Sequence, residues 1–318
     1  MTKQNKSINL TNDEKIILDL EKNYFSKLQN IIFSDDFKKN LKAIELEIQK
    51  NYKFLAETWK LKNKIKVAAE RLLRYHIYKN FINDIKDIYP SPISSDIGII
   101  LNDCILCIDC KTLDTKGNSA DINYTSVEPN QTSFDNQNYS KIIAPHNLET
   151  RYKQLPVLSF IVKIIYTDDK KSFSISKSSN HGKKHSLVLT CIPNGELSRL
   201  FNYNLMRNFK TYKYYNVKDG EQYKPIEVDT SDSNIAEWVE KKCTSLGYKK
   251  EEIRQTRGLK TVFYDNINNC YWTYTSENNT KKIRAISRGD TMRYNNNDLK
   301  SRYDSSGESW DGYFAEDI

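Results

Sequence analysis

Three charged side chains sit at the ends of apolar runs. Asp96 opens the segment DIGIIL, and Asp109 and Lys111 close the segment CILCIDCK. A charge in such surroundings is costly unless it is paired or put to use. Two hard carboxylates can share an octahedral Mg²⁺ whose other positions go to water and phosphate oxygens. An ion held in this way can activate water and neutralise a phosphodiester during in-line attack. A neighbouring lysine can orient the attacking water and stabilise the negative charge that develops. Between Asp109 and Lys111 no particular side chain is required, and the backbone carbonyl of Cys110 is a candidate further ligand.

Bringing the three groups together requires a β-hairpin. DIGIIL and CILCIDCKT are short, Ile-rich runs joined by the polar pair Asn102-Asp103, the pattern of two strands and a turn. Antiparallel pairing through that turn sets the start of the first strand beside the end of the second, so Asp96 meets Asp109 and Lys111 at one edge. The same pleat deals with the cysteines. Side chains alternate faces along a strand, so Cys104 and Cys110 point away from Cys107 and the three sulfurs cannot converge on one ion. Position 114, where a fourth thiolate would stand, is Asp. The cysteines therefore read as small core residues.

The spacing Ser95-Asp96, then Asp109-Cys110-Lys111, resembles the PD-(D/E)xK nuclease core, and SPISSDIGII followed by CIDCKTLD is similar to type II restriction endonucleases. Ser95 stands where the pattern has Pro, a position that is not a ligand. The resemblance implies a mixed central sheet flanked by helices, Mg²⁺-dependent cleavage of double-stranded DNA, and a homodimer. It assigns Asp96 and Asp109 to the metal and Lys111 to water. Some members add an acidic residue from the preceding helix. Glu70, in VAAERLLRYHIY, is the candidate here, and an ordinary helix-edge glutamate is the competing reading.

Residues 12 to 89 read as helical. Ser34-Asp35-Asp36 is an N-cap cluster ahead of Leu41, Ile44, Ile48 and Leu55 at helical spacing. A second stripe runs through Leu61, Ile65, Ala68, Leu72 and Tyr75, widened by Leu73, Ile77 and Phe81, until Pro90 and Pro92 end the segment. VLSFIVKIIYTDD and HSLVLTCIP are further buried strands, the first broken by Lys163. Residues 113 to 150 show little periodicity and read as a long loop. Ile235 to Cys243 is a short helix, and TVFY, CYWTYTS and KKIRAIS make a β-rich last third. The expected organisation is a helical region over 1–89, a nuclease core over 90–250 and a β-rich, DNA-contacting region over 251–318, all in one compact unit.

Several polar segments could grip a duplex. Asn130 and Gln131, in VEPNQTSFDNQNYSK, can read adenine edges, and Lys183 and Lys184, in KSSNHGKKHS, can hold the backbone. Arg288, Arg293, Lys300 and Arg302 alternate with Asp290, Asp298 and Asp304, which would preorganise them for guanine or phosphate. The net charge of +8 suits a phosphate-bearing partner but does not demand one. His76 and His146 stand apart, His181 and His185 are four apart only within a basic turn, no HExxH motif exists, and no GxxxxGK[ST] or GxGxxG loop occurs, which argues against zinc, motor and dinucleotide chemistry. The polar start, without an apolar signal core, and the lack of a membrane-length run point to a cytoplasmic protein that keeps its six cysteines reduced. The competing function is a non-catalytic DNA-binding regulator, or a repair nuclease of the same superfamily.

Overall fold

The computed structural model describes residues 9–58, 65–88, 95–115, 120–127, 155–169, 172–175, 185–201, 204–207, 225–255, 258–267, 270–277, 280–286 and 290–318. Within these, only the backbone is described at 58, 120–121, 198, 204–207, 253–255, 258, 275–277, 280, 285–286 and 290–293. The chain opens with helices α1 (Asn12–Ile32), α2 (Asp35–Lys50), α3 (Tyr52–Thr58) and α4 (Lys66–Phe81). Strands β1 (Asp87–Ile88), β2 (Ile97–Ile100) and β3 (Ile105–Asp114) come next. They are followed by α5 (Ala120–Asn123), β4 (Tyr124–Val127), β5 (Val157–Asp168), β6 (Phe173–Ser174) and β7 (Leu187–Ile192).

Further on lie β8 (Asn204–Arg207), β9 (Ile226–Glu227), α6 (Ile235–Ser245), β10 (Lys249–Gln255), β11 (Gly258–Asp265), β12 (Cys270–Glu277) and β13 (Thr280–Ile286). The chain closes with β14 (Asp290–Asn295), β15 (Arg302–Tyr303), β16 (Ser309–Trp310) and β17 (Tyr313–Glu316). Two units form: residues 1–203 with 293–318, and residues 204–292. The last 26 residues thus return to the first unit instead of extending a C-terminal β-rich region, because β17 pairs antiparallel with β7.

The first unit is built on a mixed sheet of order β1-β2-β3-β5-β7-β17, with β6 beside β5. Only β3 and β5 run parallel; the other pairs are antiparallel. Central β5 is buried without a break from Val157 to Tyr166, as expected of a strand covered on both faces. Its ladder partners sort by face. Leu106, Ile108 and Cys110 of β3, with Phe160 and Val162 of β5 and Leu189 of β7, pack against Leu18, Leu28, Leu41, Leu73 and Ile77 of α1, α2 and α4. On the opposite face, Cys107 and Ile105 meet Val157, while Ile165 and Val188 meet Ile122 of α5. The expected mixed sheet flanked by helices is present.

Local signals start the helices. Thr11 and Glu14 close a reciprocal capping box on α1 at 2.7 and 3.2 Å, and Ser34 accepts from the Phe37 N–H at the start of α2. The stripe on α4 lies one position away from the reading above. Ala69, Leu73, Ile77 and Phe81 are buried, whereas Tyr75 is exposed and Ala68 and Leu72 lie at the margin. The expected featureless stretch after residue 113 also contains α5 and β4.

The second unit carries an antiparallel sheet of order β10-β11-β12-β13-β9. Helix α6 packs Val239 and Cys243 onto Phe263, Trp272 and Ile283 of that sheet.

Candidate active site

The hairpin forms in the register needed to join its ends. Ile97 lies opposite Ile108 and Ile100 opposite Ile105, so the chain reaches Asp96 beside Asp109. The Cys110 N–H donates to Oδ2 of Asp96 at 2.7 Å. In a strand, a residue's N–H and C=O point to the same edge. The Cys110 carbonyl therefore aims toward Asp96, past the last rung of β2.

Asp109 is 4% exposed. The Lys111 ammonium, two residues along the same face, sits 2.5 Å from its Oδ2. From α4, Arg74 donates to the backbone carbonyl of Asp96 at 2.6 Å, which latches the helix to the start of the hairpin. One turn earlier, Glu70 turns a carboxylate toward the same place. Burial pushes its pKa up and the charge of Asp96 adds to the rise, while Lys66 and Arg74 only partly oppose them. Lys66 Nζ stands 3.7 Å from Glu70 Oε1. Burial, followed by the charges of Asp96, Asp109 and Glu70, lifts the Cys110 thiol well above its usual range. Four charged groups thus surround one strand residue.

This donor set suits a hard divalent cation. It offers two carboxylates and a strand carbonyl, with a third carboxylate whose ionisation is disfavoured until positive charge arrives. Among the described residues, no group of three or more His, Cys, Asp or Glu side chains is close enough to hold a metal by itself. Phosphate oxygens and water would have to complete the shell. Thiolate chemistry finds no footing: all six cysteines are free and buried, and burial pushes the Cys107 thiol up to about 12.

The duplex-gripping candidates fare differently. Asn130, Gln131, Lys183, Lys184 and Arg288 lie outside the described residues, as does the side chain of Arg293. Lys300 is exposed, with its ammonium 5.4 Å from the Tyr313 ring centre. Arg302 is a correction. It is 1% exposed and pairs with Glu21 on α1 instead of a neighbouring Asp. The Phe201 and Trp310 rings lie 4.5 and 5.0 Å from its guanidinium. Asp304 is taken too, by Lys22 at 2.8 Å. Alternating charge along the chain could not reveal partners from a helix some 280 positions away.

Sequence reasoning also passed over Lys163, treating it only as a break in an apolar run. In the parallel ladder Lys163 lies opposite Lys111, so the two share a face. Lys163 is 2% exposed and donates to the Tyr124 carbonyl at 2.8 Å, with the Asn296 Oδ1 3.4 Å away. Asn296 in turn accepts from Thr125 and donates to the Ile122 carbonyl. This buried network ties α5 and β4 to the strand beside the charged cluster. A lysine flanked by apolar residues inside a central strand was the available signal.

No family model and no curated protein matches the chain. Among solved structures, the chain is similar to the restriction endonuclease BglI bound to its DNA recognition sequence. That likeness has 16% identity and a TM-score of 0.41, over 70% of this chain and 84% of that one. Among the described residues, no helix is long and apolar enough to cross a membrane.

Proposed function

We propose that this protein is a type II restriction endonuclease of the PD-(D/E)xK superfamily, hydrolysing phosphodiester bonds in double-stranded DNA with Mg²⁺. One observation supports this above the others: the hairpin register sets Asp96 against Asp109, with Asp96 fixed by the Cys110 N–H. In this reading Asp96, Asp109 and the Cys110 carbonyl hold the metal, with Glu70 as an outer carboxylate. When bound, the ion supplies an activated water and neutralises phosphate charge. Lys111, held on Asp109, orients the attacking water and stabilises the charge that develops on the phosphate. Arg74 keeps the start of the hairpin in place. Duplex contact falls to Lys300 and to Asn130, Gln131, Lys183, Lys184, Arg288 and Arg293, and a homodimer would present two such sites to the two strands.

The test is incubation of the purified protein with plasmid DNA of mixed sequence and Mg²⁺. Discrete fragments are expected, and Lys111→Ala should abolish cutting while leaving salt-dependent DNA binding intact. A continuous smear would mean a nuclease without sequence specificity. Binding with no cleavage in either Mg²⁺ or Mn²⁺ would leave a non-catalytic DNA-binding protein.

A further inference from the structure

Charge along α4 is lopsided. From Lys66 to Phe81 the helix carries four cations, Lys66, Arg71, Arg74 and Lys79, and one carboxylate, Glu70. Each of the other described helices has at least as many carboxylates as Lys and Arg side chains. Two of the four cations are taken. Lys79 pairs with Asp36 at 3.2 Å, and Lys66 stands 3.7 Å from Glu70. Arg71 and Arg74 are exposed, and among the described residues no carboxylate pairs with either. The two arginines are three apart, so they are neighbours on the helix surface.

Arg74 is also fixed in place. Its Nη2 donates to the Asp96 carbonyl at 2.6 Å. A guanidinium has five N–H groups, so most of the fork stays open to solvent. Asp96 lies at the rim of the sheet, just ahead of β2. Helix α4 packs on the face that carries Ile108 and Cys110, whereas Asp109 and Lys111 alternate to the other face. The rim is met from both sides: the Asp96 carboxylate accepts from the Cys110 N–H, and its carbonyl accepts from Arg74. A DNA strand with one phosphate at the Asp96–Asp109 cluster, and its backbone running over this rim, brings the next phosphates to α4. Such a backbone offers evenly spaced anions, so one occupant serves the cluster and the helix together. A guanidinium already held by a carbonyl can fork onto phosphate at little further cost in side-chain freedom.

We propose that the exposed side of α4 is a contact for the DNA backbone, with Arg74 and Arg71 gripping phosphates next to the one at Asp96. The place of that first phosphate rests on the nuclease reading. Neither arginine acts on the reacting atoms; both set the position of the strand.

Filter binding of plasmid fragments to the Lys111→Ala protein in Mg²⁺, over a series of salt concentrations, tests this without cleavage. Each phosphate contact contributes about 0.9 to the slope of log K against log salt. Arg71→Gln should therefore lower the magnitude of the slope by about 1, and Arg71→Gln with Arg74→Gln by about 2. Arg71 bonds to no part of the hairpin among the described residues, so a loss there does not come from a loosened Asp96. Arg74→Lys should keep the slope, because the charge remains. Lys50→Gln with Lys53→Gln, exposed on α2 and α3, removes the same charge elsewhere and should leave the slope unchanged. With Lys111 restored, the double arginine variant should raise KM about tenfold and nearly keep kcat, as binding shared by ground and transition states requires. Near-ultraviolet circular dichroism would establish that each variant is folded. If the parent cuts plasmid and the folded arginine variants keep its slope, or the lysine control loses as much, this proposal alone is overturned. If the slope falls as expected but the parent cuts nothing, the backbone contact stands and the nuclease reading falls. If the parent does not bind DNA, both fall.

Discussion

Replacing Lys111 with Met keeps most of the side-chain stem and removes the charge beside Asp109. At the observed 2.5 Å, with an effective dielectric constant near 20, the gross attraction is about 7 kcal/mol. The net worth is far smaller, because both ions give up hydration. The pair is also one-sided: the Asp109 side chain is 5% exposed and that of Lys111 is 34%. Breaking a fully buried pair costs about 3–5 kcal/mol, so this half-open one should cost about 1–3 kcal/mol when metal is absent. Urea unfolding in EDTA would measure the loss for Lys111→Met. Asp109→Asn in the same chain should restore most of it, since no buried carboxylate then remains uncompensated. Mg²⁺ at ten times its Kd should stabilise the single variant by about 1.4 kcal/mol. If Lys111→Met is as stable as the parent, or the double variant is as unstable as the single, the ammonium is not neutralising Asp109 and the reasoning fails.

Other outcomes follow from the same structure. Glu70 has a raised pKa in the fold, so its contribution is whole below pH 4.5 and is lost as pH rises through the raised value. Glu70→Gln should therefore stabilise the metal-free protein at pH 7 and shrink the Mg²⁺-dependent rise in Tm, both read by calorimetry. His76 is buried against Phe37, and burial lowers its pKa below 6.5. Its stabilisation is therefore complete above pH 6.5 and drains away on acidification toward the lowered value; His76→Gln should flatten the stability slope there in denaturant titrations. Arg302→Met leaves the fully buried Glu21 without its partner and should cost about 3–5 kcal/mol by urea unfolding. Because Arg302 is enclosed, the same variant, if folded, should keep the parent's salt dependence of DNA binding.

The hairpin was legible from sequence for local reasons. Alternation along CILCIDCKT fixes which side chains share a face, and the Asn102-Asp103 turn lies close enough along the chain to set the register that aligns Asp96 with Asp109. The long apolar run around Phe160 announced a strand buried on both faces, and Ser34 announced the start of α2. Tertiary structure decided the rest. Which side of α4 faces the sheet depended on the strands it meets, so Leu73 and Ile77 became central while Tyr75 stayed in solvent. Whether Arg302 reached outward depended on Glu21, distant in sequence but adjacent once β17 docks on β7. Lys163 looked like an interruption until the parallel ladder set it opposite Lys111 and Asn296 came within reach of its ammonium. Short-range pattern carries the pleat and the turn, because those energies act between near neighbours along the chain. Whether a charge ends up in solvent or in the interior is settled by groups that meet only when remote segments pack.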